Sequence, residues 1–268
     1  MKEISSVEIK RILLDLMCDI HQFCITNDIK YSLAFGSLIG TMRHQGFIPW
    51  DDDIDIYMMR EDYDRFRKTY KPSKNYMKLN DCEKDDNYHR TFLKLEDTRT
   101  VVYEVSVFDY LGISIDIFPV DNLFDDLEKS LKLCKKVEFY RKIHIIKSLT
   151  LRNDFGLLKK IVMGIGKVLF MTFGVHDVTM KMVRLSKNGK DNSKYVTILD
   201  MNHNNDLIFE RSIYENVILR AFEDKEFYTM KDADIWLRKR YGNYMELPPI
   251  EKRENGSCHE FEGTYFKD

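Results

Sequence analysis

Proline is scarce in this chain, five residues in 268, so long linkers between separate domains are not expected. Cysteine is scarce as well. The five cysteines, at 18, 24, 82, 134 and 258, are odd in number and form no CxxC pair. That pattern excludes a disulfide framework and fits reduced thiols in a cytoplasmic chain. Charge of one sign is missing too: 42 basic against 44 acidic residues leave a net charge of -2. The basic excess of a nucleic-acid binder is therefore absent. The opening MKEISSVEIKRILLDL sets acids among its first residues and has no uninterrupted apolar core, so neither a secretory signal nor a membrane anchor is expected there. Residues 155–175 are the most apolar stretch, yet Lys159, Lys160 and Lys167 break it. Such a pattern suits a face packed on the protein's own core, with peripheral membrane contact as the alternative use. No fixed-period repeat or low-complexity tract appears, which favours one interwoven domain over residues 1–268.

What is present centres on residues 31–60, YSLAFGSLIGTMRHQGFIPWDDDIDIYMMR. Alternation in a β-strand puts Asp53 and Asp55 on one face and Ile54 and Ile56 on the other. An extended path beginning at Pro49 would bring Asp51 to the same face and turn Asp52 away. Like charges so close together are costly unless a cation neutralises them, and oxygen ligands suit Mg²⁺. Phosphate chemistry is the expected use. Upstream, a strand through Leu33 to Phe35 ends in Gly36-Ser37, where glycine permits close backbone approach to a phosphate and serine can donate to it. A short helix over Leu38–Met42 would present its N-terminus to an anion. Arg43 and His44 follow, within reach of a phosphate or else in a solvated turn.

Elsewhere, Ile9, Leu13, Leu16, Ile20 and Phe23 recur at helical spacing over about 5–26, with Ser5 or Ser6 as N-cap. A polar helix follows from Arg60 to Tyr70, then a polar loop over 71–90 containing one short strand. Cys82 and His89 lack further ligands at zinc spacing. Strands are expected over Phe92–Leu95 and Val101–Val105. In GISIDIFPVDNLF, isoleucines 113, 115 and 117 alternate with Asp116, which becomes a third carboxylate beside Asp53 and Asp55. Asp121 is expected at a cap or turn. Helices should run from Asp125 to about Leu151, from Asp177 to Lys187, and from Ala233 to Arg240 behind an Asp232 cap. Tyr195–Leu199 reads as a strand, and 200–227 has no clear assignment.

The run GSLIGTMRHQGFIPWDDDIDIYMMREDYDRF, followed by IDIFPVD and by YGNYMELPPIEKR, resembles the LicD family of phosphorylcholine-type transferases, related to fukutin-related protein. The resemblance implies an α/β (α+β) fold of the nucleotidyltransferase-like kind, a mixed sheet flanked by helices with added C-terminal helices. Residues 1–122 would form the core, 123–194 a helical region, and 195–268 a segment packing back on the core. Asp51, Asp53, Asp55 and Asp116 would hold Mg²⁺ or Mn²⁺, with Asp116 alternatively the general base. Gly36, Ser37, Arg43, His44 and Lys94 would bind the donor's phosphates, and Arg253 and His259 would contact the site from the closing segment. The implied partners are a CDP-linked donor and a glycan or lipid-linked glycan acceptor, met at the inner membrane face. The same acids could serve a true nucleotidyltransferase acting on an NTP, or remain in a non-catalytic nucleotide- or glycan-binding scaffold.

Overall fold

The computed structural model describes residues 2–104, 111–148, 164–167, 172, 174–202, 205–254 and 261–267. Most of 155–175, and His259, lie outside them. In chain order the elements are β1 (Lys2–Glu3), α1 (Ser6–Thr26), β2 (Ser32–Leu33), α2 (Phe35–His44), β3 (Ile54–Met59), α3 (Arg60–Thr69), β4 (Met77–Asn80), β5 (Leu93–Asp97), β6 (Thr100–Glu104) and β7 (Ser114–Asn122). There follow α4 (Leu127–Ser148), α5 (Val175–Ser186), β8 (Tyr195–Thr197), β9 (Phe209–Glu210), α6 (Arg211–Glu215), β10 (Val217–Phe222), β11 (Lys225–Met230), α7 (Ala233–Tyr241), α8 (Ile250–Glu254) and β12 (Phe261–Phe266).

The main sheet runs β10-β11-β2-β3-β7-β5-β4, with β8 and β9 attached beside β7. It is mixed: β3 and β7 are parallel, while β5 is antiparallel to β7. Alternation along the central strands divides two cores. Ile54, Ile56 and Met58 of β3 pack with Ile115 and Ile117 of β7 against Leu13 of α1 and Phe66 of α3. Tyr57, Met59, Phe118 and Val120 point the other way, to Leu38 of α2 and Trp236 of α7. Each central strand is thus apolar on both faces, and the sheet lies between helices on either side. The α+β class is as the sequence indicates.

The first helix starts where its sequence says it should. Ser5 Oγ accepts the Glu8 N–H at 3.3 Å and the Ser5 N–H donates to Glu8 at 3.1 Å, a reciprocal capping box. Two local expectations are corrected. Asp232 occupies the cap position of α7, but its side chain makes no cap bond. Asp121 neither caps nor turns the chain: it is 1% exposed within β7 and paired with Arg60, because β7 continues through Pro119 to Asn122.

The C-terminal segment contributes strands to both sheets. Its β11 pairs in parallel with β2 and so enters the main sheet. Its β12, which no sequence signal marked, pairs with both β1 and β6 to make a separate three-stranded sheet. No helix of the described residues is long and apolar enough to cross a membrane.

Candidate active site

Parallel pairing of β3 with β7 sets Asp55 directly opposite Asp116. Antiparallel pairing of β5 with β7 sets Lys94 opposite Asp116 on its other flank. The Lys94 Nζ lies 2.6 Å from Asp116 Oδ1, and the two side chains are only 15% and 20% exposed. Three adjacent strands thus place acid, acid and ammonium in one row.

The turn before α2 is clamped by the main chain of Asp55. The Ala34 N–H donates to Asp55 O at 2.8 Å, and the Asp55 N–H donates to Ser37 Oγ at 3.0 Å. Ser37 therefore aligns the acid-bearing strand, and the Asp55 carboxyl is left for the site. Phe35 takes a left-handed φ of 44° at this turn, a conformation that strains a bulky residue. Its ring is gripped edge-on by Phe118 at 5.4 Å and Trp236 at 5.6 Å, which holds the turn in place. The helix begins at Phe35 rather than Leu38, so Gly36 and Ser37 lie in its first turn.

The lead-in to β3 departs from the extended path expected from Pro49. The Asp51 N–H donates to Ile48 O at 3.0 Å, closing a turn over Pro49-Trp50. Period-two alternation consequently starts only at Ile54. Asp52 and Asp53 both line the central cavity, so Asp52 does not turn away. Asp51 lies against Gly36, where an added Cβ would stand 2.6 Å from Asp51 Oδ2. From α1, Lys10 Nζ donates to Pro49 O at 3.0 Å and steadies the turn.

The cavity, about 310 Å³, is lined by Asp52, Asp53, Asp55 and Asp116 together with Arg90 and Lys94. Four carboxylates face two cations. Burial raises the pKa of Asp55 well above the ordinary carboxyl value, and the charges of Asp53, Asp116 and Asp51 push it in the same direction against Lys94. This oxygen-only donor set suits a hard divalent ion in kind. In arrangement it is not a finished site: among the described residues no three Asp, Glu, His or Cys side chains converge to hold an ion. Asp116 is engaged by Lys94 instead.

Several predicted contacts lie away from this cavity. Arg43 donates through Nη1 to Tyr244 O at 2.7 Å and through Nε to His44 Nε2 at 2.9 Å. Burial, then the neighbouring Arg43 charge, lowers the His44 pKa, and the ring meets Trp50 edge-on at 6.3 Å. Arg253 lies over the other ring of that pair, 5.6 Å from the Trp50 centroid, and donates to Pro248 O. Arg43 and Arg253 thus fasten the closing segment beside Trp50, one residue before the acids, His44 touches both Arg43 and that ring, and none of the three lines the cavity.

Sequence reasoning missed Arg90 and Glu223. Arg90 lines the cavity with Phe92 and Lys94 but lies ahead of β5, in irregular chain where strand alternation gives no signal. Glu223, in the turn between β10 and β11, accepts the Phe47 N–H at 2.9 Å and donates its own N–H to Gln45 O at 2.8 Å. It secures the loop ahead of the acids from 176 residues away, which no local signal could reveal.

Fold and site together define a mixed α+β protein whose central strands carry a buried carboxylate–lysine centre. Residues 28–160 match the family described as LicD/FKTN/FKRP, nucleotidyltransferase domain. The chain belongs to the LicD family of phosphotransferases. It is 28% identical over 269 residues to the lipopolysaccharide cholinephosphotransferase LicD of Haemophilus influenzae, covering 95% of this chain and 96% of that protein. Shorter matches are to uncharacterized proteins of Rickettsia typhi, 48% identical over 56 residues, 21% of this chain and 18% of that one, and of Rickettsia prowazekii, 52% identical over 50 residues, 19% of each.

Proposed function

We propose that this protein transfers a substituted phosphate, phosphocholine in the first instance, from a CDP-activated donor to a hydroxyl of a cell-surface glycan such as lipopolysaccharide. The observation that supports it most is the row Asp55, Asp116, Lys94 across three neighbouring strands, in a chain related over nearly its whole length to a lipopolysaccharide cholinephosphotransferase. In the reaction the acceptor oxygen attacks the phosphorus bearing choline, the bond to CMP breaks, and the acceptor's proton leaves to a base. Asp116, on β7 between β3 and β5, is that base in the alternative arrangement in which it is not a metal ligand; Asp55 shares its row.

Arg90 and Lys94 supply positive charge to the donor's diphosphate. Ser37 and Ala34 fix the Asp55 backbone, so the carboxyl does not have to be reoriented during turnover. Asp53, Asp55 and Asp116, with Asp51 and Asp52 adjoining, would hold Mg²⁺ or Mn²⁺. A bound ion would neutralise charge developing on the transferred group, the main requirement of phosphoryl chemistry. The acceptor implied by this reading is an amphiphile, which sets the protein's work at the inner membrane face.

Incubation of the purified protein with CDP-choline, Mg²⁺ and a lipopolysaccharide acceptor should release CMP in step with choline attached to the acceptor. The same assay with CDP-ribitol and CDP-glycerol ranks the donor classes. Pyrophosphate release from CTP, with nucleotide on the acceptor and no CMP from any CDP donor, would overturn the reading in favour of nucleotidyl transfer.

A further inference from the structure

We propose that Lys94 is the built-in counter-ion of the carboxylate centre: its ammonium holds Asp116 until a divalent cation takes that place, and the freed ammonium then meets the donor's phosphates. This rests on the metal- and CDP-dependent reading above.

The row of strands makes the role specific. Asp116 has Asp55 on one flank and Lys94 on the other, each in direct register. The 2.6 Å separation of Nζ and Oδ1 is that of a charge-assisted hydrogen bond, and both side chains are mostly withdrawn from water. Asp51 and Asp53 adjoin the same place, and Asp55 feels all three of its acidic neighbours, with Lys94 opposing them. A positive charge belongs there, and Lys94 provides it.

The same contact keeps Asp116 from a cation. A cation of Mg²⁺ size needs carboxylate oxygens at about 2.0–2.1 Å, and an ammonium on Asp116 competes for that carboxylate and repels the ion. Release of Lys94 is unfavourable while no ligand anion joins the carboxylates of the cavity. A diphosphate in the 310 Å³ cavity, already lined by Arg90, gives the ammonium a new partner and adds oxygens for the cation. Cation and donor therefore strengthen one another, and by linkage each raises the other's affinity by the same factor.

Mn²⁺ titration followed by electron paramagnetic resonance, with and without CDP, tests this without turnover. Wild-type protein should bind Mn²⁺ weakly alone and at least about tenfold more tightly with CDP, within the usual range of coupling between sites. Lys94→Met should bind Mn²⁺ alone about tenfold more tightly than wild type, and its coupling to CDP should largely vanish. Lys94→Arg, which keeps the charge, should stay weak without CDP. Circular dichroism confirms that each variant is folded. If folded Lys94→Met binds Mn²⁺ alone no more tightly than wild type, while CDP still strengthens binding in the wild type, the counter-ion role is overturned and the metal reading stands. If wild type and both variants bind no Mn²⁺ even with CDP, the metal reading and this proposal fall together.

Discussion

Replacing Asp55 by asparagine should abolish turnover and at the same time stabilise the fold in metal-free buffer. Asparagine matches aspartate in size, and the Asp55 main-chain bonds to Ala34 and Ser37 do not involve the side chain. What changes is charge. Strands lie about 4.8 Å apart, so the Asp55 and Asp116 carboxylates in register are roughly 5 Å from one another. At an effective dielectric of about 20, two unit charges at that distance repel by about 3 kcal/mol. Lys94 offsets part of this through Asp116, and the raised Asp55 pKa means that proton uptake relieves another part. A gain of about 1–2 kcal/mol at pH 7 should remain, equivalent to roughly 2–8 °C in Tm for a chain of this size. Scanning calorimetry with excess EDTA and then with Mg²⁺ reads both halves of the argument. Wild type should be the less stable protein in EDTA and should gain on adding Mg²⁺, whereas the variant gains little. A variant no more stable than wild type in EDTA would refute the reasoning that these acids carry an unrelieved repulsion.

Arg60 and Asp121 join α3 to β7 through a buried pair, with Nε 2.8 Å from Oδ1. Arg60→Met strands the Asp121 charge and should cost about 3–5 kcal/mol by urea denaturation, most of it recovered in the double variant with Asp121→Leu. Gly36→Ala puts a methyl 2.6 Å from Asp51 Oδ2, and kcat should fall on the order of 10²-fold through the displaced carboxylate, with Tm changed far less. His21 Nδ1 lies 2.6 Å from the Tyr31 hydroxyl, and burial lowers its pKa below the ordinary 6.5. The unfolded chain then binds the proton first as pH drops, so stability is full above 6.5 and declines below it through the folded value. His21→Gln should flatten the decline in denaturation midpoints that sets in as pH falls below 6.5.

Local chemistry fixed a good part of this protein without reference to its tertiary structure. Side chains alternate along a strand by covalent geometry, so Ile54 and Ile56 opposite Asp55, and the isoleucines opposite Asp116, were legible from a dozen residues. The serine N-cap of α1 and the end of α7 near Arg240 were legible for the same reason, because such signals lie within a turn of the helix they bound. Other features depended on which segments come to lie side by side. The register of β3 with β7, and of β5 with β7, decides that Asp55, Asp116 and Lys94 form one row, and that register is set by burial on both faces of the sheet. The turn at Pro49-Trp50, held from α1 by Lys10, takes Asp51 off the strand's alternation and brings Asp52 to the cavity. Arg43 finds its main-chain partner 201 residues downstream, and β12 closes the second sheet from the far end of the chain. The sequence by itself determined which residues could carry the chemistry. Only the tertiary structure decided which of them meet, because pairing and register minimise the free energy of the whole sheet and not that of any one strand.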